Sequence, residues 1–382
     1  MQGLGPEISG DADVVGWGVG PVLGKFEGVR RIAVLRGGGL GDLLFALPAI
    51  AALRAAYPDA SITVLGTPVH QELAASTAGP AAYDVRILPF VEGIRPGPED
   101  RTDLEAFFAR MSAESLDLAV QLHGGGRFSN PFLLRLGARH TVGARTPDAA
   151  PLERNLPYAY YQHEPLRALE VAGLAGAAPA GLEARLRPLD RYAADVEPFS
   201  GGKCAVVVIH PGATDPRRRW PARSFGEVAA ACAADGAQVL VVGTRDEEDL
   251  AAAVVAAAAS AQVTSLAGQL TLGALASLLA LATVLVGNDS GPRHLAQALG
   301  TPTVGLYWAG NVINAGPLGR TQHRVHVSWL THCPECGADI TQVGWTAPRC
   351  PHESPLVAGI KADAVYQDVR MFTARSPLRR GK

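Results

Sequence analysis

The segment Arg31-Ile-Ala-Val-Leu-Arg36-Gly-Gly-Gly-Leu-Gly41-Asp42-Leu-Leu-Phe45-Ala-Leu-Pro48 decides the class of fold. A short apolar run stops at a glycine-rich turn and passes into a helical spacing of apolar residues that continues to Ala56. Such a run reads as a strand buried on both faces, followed directly by a helix. The alternation continues with strand-like or helix-like runs at 61–65, 84–88, 101–112, 116–122, 130–137 and 141–143. It loosens over 146–202, where Pro147, Pro151, Pro157, Pro165, Pro179, Pro188 and Pro198 fall. It then restarts with strands at 205–210, 238–242, 262–265, 284–287 and 303–306, separated by helices at 224–234, 247–259, 271–282 and 292–299.

This pattern predicts an α/β protein of two Rossmann-like doubly wound domains facing across a cleft, at 29–190 and 201–360. In open parallel sheets ligands bind outside the carboxyl ends of the strands, so both domains should present their loops to that cleft. Residues 1–28 are expected to form a loose arm. Residues 361–382, with a helix over 362–373, are expected to pack back on the first domain.

Length agrees with two units, since 382 residues exceed the roughly 250–300 that one core supports. Thirty-four Lys and Arg against 36 Asp and Glu leave a charge of −2, which excludes a generally basic nucleic-acid surface and confines any anion site to local clusters. Cys204 and Cys232 stand alone while Cys333, Cys336 and Cys350 are grouped, which is not the spacing of a disulfide-stapled secreted domain. No basic segment followed by a long apolar run opens the chain, and a cytoplasmic protein is expected. The longest apolar stretch, 270–287, falls short of the about 20 residues of a membrane span and lacks flanking anchors; it reads as a buried helix running into a buried strand.

Three loops carry chemistry. In the first, glycines after the strand let backbone N–H groups, Gly41 among them, approach an anion or a hydroxyl. Asp42 then opens the helix, at a position where Asp is favoured as a cap. The dinucleotide fingerprint is incomplete, because Gly37-x-Gly39 lacks its third glycine and the strand at 61–65 ends in Gly66-Thr67 with no acid for a ribose. That disfavours the alternative of an NAD-dependent oxidoreductase. The second loop, His210-Pro-Gly-Ala-Thr214-Asp-Pro-Arg217-Arg218-Arg219-Trp220, sets three arginines at a strand end, where guanidinium groups can meet phosphate oxygens. The third, Asn288-Asp289-Ser290-Gly291-Pro-Arg-His294, opens a helix whose free N–H groups and dipole favour an anion. Two anion loops in one domain point to a diphosphate. Glu247, just past the strand at 238–242, is a candidate for ribose hydroxyls and equally for a helix cap; Asp246 is its neighbour. Thr214 is placed with the nucleotide. His123, Arg127 and Asn130 follow the strand at 116–122 and are candidate acceptor contacts.

Gly41-Asp42-x4-Leu47-Pro48, His210-Pro-Gly-Ala with Arg-Arg-Trp220-Pro, and Asn288-Asp-Ser-Gly-x-x-His294, in this order, resemble glycosyltransferase family 9, the lipopolysaccharide heptosyltransferases, over about 31–372. The resemblance implies a GT-B fold, an inverting mechanism with no cofactor or catalytic metal, and ADP-heptose as donor. The expected acceptor is a glycan, a glycolipid or a small molecule, with no transmembrane segment and with peripheral membrane contact as an option. The resemblance makes Asp42 the base; Arg218, Asp289, Ser290, Gly291 and His294 the diphosphate contacts; and Leu270 an apolar wall beside the nucleobase. Phe45 stands where many members have His, and Arg218 where Lys is common.

Cys333-x2-Cys336 and Cys350-x-His352 make a set of four ligands suited to tetrahedral zinc, and equally a group of free thiols or a disulfide with a spare thiol. A zinc-knuckle nucleic-acid binder is the second alternative, opposed by the charge balance.

Overall fold

The computed structural model describes residues 18–200, 204–341 and 349–374. The first unit runs β1 (Arg31–Leu35), α1 (Leu40–Ala56), β2 (Ser61–Gly66), α2 (Pro68–Ser76), β3 (Thr77–Ala78), β4 (Asp84–Ile87), α3 (Arg101–Ala113), β5 (Leu118–Gln121), α4 (Ser129–Leu134), β6 (His140–Arg145), β7 (Arg154–Pro157) and α5 (Glu164–Leu174). β8 (Arg187–Pro188) and α6 (Glu197–Ser200) belong to the connecting segment, and β8 pairs back antiparallel on β3. The second unit runs β9 (Val206–His210), α7 (Ala222–Ala234), β10 (Gln238–Val241), α8 (Glu248–Ala258), β11 (Val263–Ser265), α9 (Leu272–Leu281), β12 (Val284–Asn288), α10 (Gly291–Ala298), β13 (Thr303–Trp308), α11 (Ala309–Ala315), β14 (His323–Ser328) and α12 (Ala362–Thr373).

The two six-stranded sheets are parallel throughout, in the orders β4-β2-β1-β5-β6-β7 and β11-β10-β9-β12-β13-β14. The central strands are apolar along their length because helices cover both faces; every residue of β9 and β12 is buried. In each sheet the winding reverses beside the first strand, between β1 and β5 and between β9 and β12. A crevice opens there at the carboxyl edge, and the chemistry-bearing loops leave these four strands or, for Glu247, the adjacent β10.

The units meet where the start of α1 abuts the start of α10. A Cβ on Gly41 would lie 3.3 Å from His294 Cδ2, one on Gly291 would lie 3.0 Å from Leu40 Cβ, and the Phe45 and His294 rings meet edge-on at 4.5 Å.

Several expectations are corrected. Where the alternation loosens, regular structure continues unread: β7 and α5 lie within the stretch, and Pro165 occupies the first turn of α5, where a missing N–H costs no hydrogen bond. Of the expected loose arm, residues 1–17 lie outside the described residues, and the remainder is docked on the first unit. Val19 and Phe26 are buried, Phe26 stacks on His140 at 4.1 Å, and the Leu23 N–H donates to Gly173 O at 2.9 Å. α12 packs on the second unit, not the first. Its stripe Val365, Val369 and Phe372 joins the core of Trp220 and Phe225, and Tyr366 Oη donates to Asp235 Oδ2 at 2.7 Å. The tail at 375–382 lies outside the described residues. Among the described residues no helix is long and apolar enough to cross a membrane; the stretch 270–287 holds α9 and most of β12.

Candidate active site

On the first unit, the turn between β1 and α1 is set by its glycines. Gly38 has φ +90°, and a Cβ there would fall 2.4 Å from Asp42 Oδ2; a Cβ on Gly37 would fall 2.3 Å from Ile94 O. The Asp42 carboxylate accepts from the Gly39 N–H at 2.8 Å and from Arg36 Nη2 at 2.8 Å, so it does cap α1. Its side chain is nevertheless 43% exposed, against 7% for Arg36, so it keeps lone pairs toward the cleft. Arg36 also reaches Glu164 Oε2 at 3.3 Å, and Glu164 pairs in turn with Arg167. His70, in the first turn of α2, braces this turn. Its Nδ1 accepts from the Thr67 N–H at 3.3 Å, which leaves Nε2–H to donate to Gly39 O at 2.8 Å; burial pushes its pKa down and keeps it neutral.

On the second unit, Arg218 Nη1 lies 3.2 Å from Asp289 Oδ2, and His294 Nε2 lies 3.0 Å from Asp289 Oδ1. Burial opposes ionisation of Asp289, but His294 and Arg218 more than offset it and hold the carboxyl at about 2. Burial, then Arg293, push His294 down to about 4, so at neutral pH its ring is uncharged. Ser290 stands at the N-cap position of α10, and its Oγ lies 3.0 Å from His210 Nδ1. His210 Nε2 is 3.4 Å from Glu247 Oε2, so one imidazole joins the two loops. Glu247 also accepts from the Thr244 N–H at 2.8 Å and closes a capping box; burial opposes its charge, but His210 and Thr244 bring it down to about 2. Asn288 stitches the loops beneath, accepting from the Trp220 N–H at 3.0 Å and donating to Pro211 O at 2.7 Å.

Of the three consecutive arginines only Arg218 faces this site. Arg217 is spent on Asp215, with Nη2 to Oδ2 at 2.7 Å, and Arg219 donates to Ala213 O at 2.8 Å. Thr214 is exposed at the rim and Leu270 is half-buried. The acceptor candidates separate. His123 lies beside Gly37, with its Nε2 engaged 2.9 Å from Gly93 O. Arg127 is exposed and turned toward Asp148 at 3.9 Å. Asn130 is a correction: it is fully buried, and its amide donates to Ala144 O and Ala150 O, fixing the loop after β6. Arg36, Glu164 and His70 escaped the sequence reading. The available signal was Arg36 itself, a charge ending an otherwise apolar buried strand.

Away from the cleft, the donor atoms of Cys333, Cys336, Cys350 and His352 all lie within 4.8 Å of one another. His352 Nδ1 is 3.7 Å from Cys333 Sγ and 3.3 Å from Cys350 Sγ, and Cys336 and Cys350 Sγ are 3.4 Å apart. A tetrahedron with ~2.3 Å arms has edges of about 3.7 Å, so the set fits a small thiophilic ion. The Cys336 and Glu335 N–H groups aim at the Cys333 sulfur and bring its thiol down to about 6. The other face of His352 meets Glu335, Nε2 to Oε2 at 3.6 Å, the outer carboxylate common to ligating histidines.

Residues 106–339, more than half of the chain, match the profile of Glycosyltransferase family 9 (heptosyltransferase). Lipopolysaccharide heptosyltransferase 1 of Pseudomonas aeruginosa is 27% identical over 324 residues, 80% of this chain and 86% of that protein. Lipopolysaccharide heptosyltransferase 3 of Escherichia coli is 34% identical over 105 residues, but that match spans only 31% of its length and 27% of this chain. The solved structure of E. coli ADP-heptose LPS heptosyltransferase II superposes with a TM-score of 0.68 at 20% identity, covering 90% of this chain and 98% of that one. The architecture is therefore GT-B, as the motifs implied.

Proposed function

The chain belongs to glycosyltransferase family 9, and on that premise we propose that it is an inverting glycosyltransferase that moves a heptose from ADP-heptose to a hydroxyl of a glycan, glycolipid or small-molecule acceptor. One observation carries the reading: the exposed face of Asp42, on the first unit, stands across from the α10 N-terminus and Arg218, on the second, with Gly41 and His294 in contact between them. Inversion needs one displacement, with base and leaving group on opposite sides of the anomeric carbon. The acceptor hydroxyl gives its proton to Asp42 while its oxygen bonds to that carbon, and the bond to the diphosphate oxygen breaks with its electron pair. Arg218, Ser290 and the first N–H groups of α10 receive the charge that develops on the leaving ADP. Glu247, Thr214 and Leu270 are assigned to the nucleoside, and Gly41, His123 and Arg127 to the acceptor side.

No part of this scheme uses a metal or a nicotinamide, and family membership sets aside the oxidoreductase and nucleic-acid-binding alternatives. Cys333, Cys336, Cys350 and His352 would hold a structural zinc: with all four positions filled by protein, the ion would order the loop and leave no site for a substrate. A cytoplasmic setting is proposed with the function, a glycolipid acceptor bringing the enzyme to the membrane by its substrate. The test is thermal shift with ADP, UDP, GDP and NAD in parallel. ADP at 100 times its dissociation constant should stabilise by about 2.7 kcal/mol; selective stabilisation by NAD would overturn the proposal, and by UDP would replace the donor.

A further inference from the structure

Arg293 is fully buried, and every acceptor it meets is neutral. Nη1 donates to Gln297 Oε1 at 3.1 Å, Nη2 to Ala315 O at 3.2 Å and to His294 Nδ1, and Nε has no partner among the described residues. A buried cation without a carboxylate is costly, because no counter-charge repays its loss of water. Its guanidinium packs against the Tyr307 ring at 5.2 Å, and a Cβ on Gly305 would come within 3.1 Å of Arg293 Cδ, so the fold makes room for it.

The acceptor at His294 is the informative one. A guanidinium only donates, so Nδ1 must carry a lone pair, and the ring proton sits on Nε2, aimed at Asp289 Oδ1. The charges facing His294 come from every side. Asp289 and Arg218 approach from the loops after β12 and β9, and Arg293 from α10 itself. α1 offers the Phe45 ring and the Gly41 backbone, its Asp42 being turned to Arg36. Glu183, of the connecting segment, lines the same cavity and accepts from Gln297 Nε2 at 2.7 Å, and His163, whose pKa burial pushes down, lines it as well. Two guanidinium groups thus face one carboxylate.

We propose that Arg293 is a positioning residue of the donor site: it holds His294 as the Nε2–H tautomer and, with Arg218, sets two guanidinium groups against the one carboxylate of Asp289, beside which the donor diphosphate binds. This rests on the reading of the site as the diphosphate site. Without Arg293, Nδ1 loses the donor that keeps it bare and the ring is no longer held in one tautomer, while burial continues to oppose its protonation. The tautomer alone is a property of the protein and does not depend on which ligand binds.

Two measurements on the full chain test it. Nitrogen-15 NMR of the histidine side chains, with the His294 signal assigned by its loss in His294→Gln, should show a bare Nδ1 and a protonated Nε2, unchanged between about pH 5.5 and 8. A proton on Nδ1, or titration of His294 in that range, would overturn the proposal. In Arg293→Met, ADP affinity should fall about tenfold from wild type and the His294 nitrogen signals should no longer report a single Nε2–H tautomer, while Arg293→Lys should restore both. An ADP affinity, or a His294 tautomer, that is unchanged in folded Arg293→Met would also overturn it. Should Arg293→Met not fold, the wild-type NMR and Arg293→Lys decide. Failure of the wild type to bind ADP would sink the donor assignment and leave the tautomer result to judge Arg293.

Discussion

Arg36 Nη2 lies 2.8 Å from Asp42 Oδ1, a buried guanidinium gripping a carboxylate that is 43% open to the cleft. The grip aims the base. Asp42→Asn should lower turnover by about 10²–10⁴-fold and leave the ADP-induced thermal shift intact, because no donor contact is removed. Asp42→Ala should in addition lose about 1 kcal/mol of stability, since the Gly39 N–H loses its acceptor. Turnover within a few-fold of wild type in both variants would remove Asp42 from the chemistry.

Gly212 tests the nucleotide end. A Cβ there would fall 1.8 Å from Glu247 Oε1, with no room for both. Gly212→Ala should displace the Glu247 carboxylate from His210, raise the KM for the donor by about tenfold or more, and change the acceptor KM little. Steady-state kinetics with each substrate varied would separate the two.

Glu247 and Asp289 make the fold acid-sensitive. Both carboxyls are held at about 2, below their ordinary 4.5 and 3.8. Groups with depressed folded values contribute fully above the unfolded value, and that contribution is lost as pH falls from about 4.5 through about 2. Glu247→Gln should therefore cost on the order of 3 kcal/mol at pH 6 and approach wild type near pH 2, as urea unfolding across that window would report.

The cysteine cluster should carry about one zinc per chain by elemental analysis, and less than one per two chains would dismiss it. Chelation, or Cys350→Ser, should lower the melting temperature. Leu356 N–H donates to Arg217 O at 2.8 Å and Arg349 Nη2 reaches Asp215 at 3.3 Å, so loosening this loop should also weaken ADP binding, which titration of the chelated protein would measure.

What could be read from sequence was what the chain writes locally. Glycine after an apolar run marks a strand passing into a helix, and that signal located the turn at Gly37–Gly41, the loop after β9 and the start of α10. Arg36 and Arg293 were not readable because their meaning lies in partners far along the chain: Glu164 is 128 positions from Arg36, and Ala315 is 22 from Arg293. Asn130 misled for the same reason. A polar residue after a strand looks like a ligand contact until the backbone carbonyls of Ala144 and Ala150 are seen to occupy it. The prolines at 146–202 concealed α5 because the sequence records where Pro stands, not whether its position is the first turn of a helix.

Since α12 stays with the second unit, the described chain passes between the units a single time, after α5 and before β9. The two halves are thus joined like a book by one spine, with the α1–α10 contact as its clasp. A protease cut in that spine would leave two pieces held only by noncovalent contacts. Each would keep a complete six-stranded sheet, one bearing the base and the other the whole donor cradle.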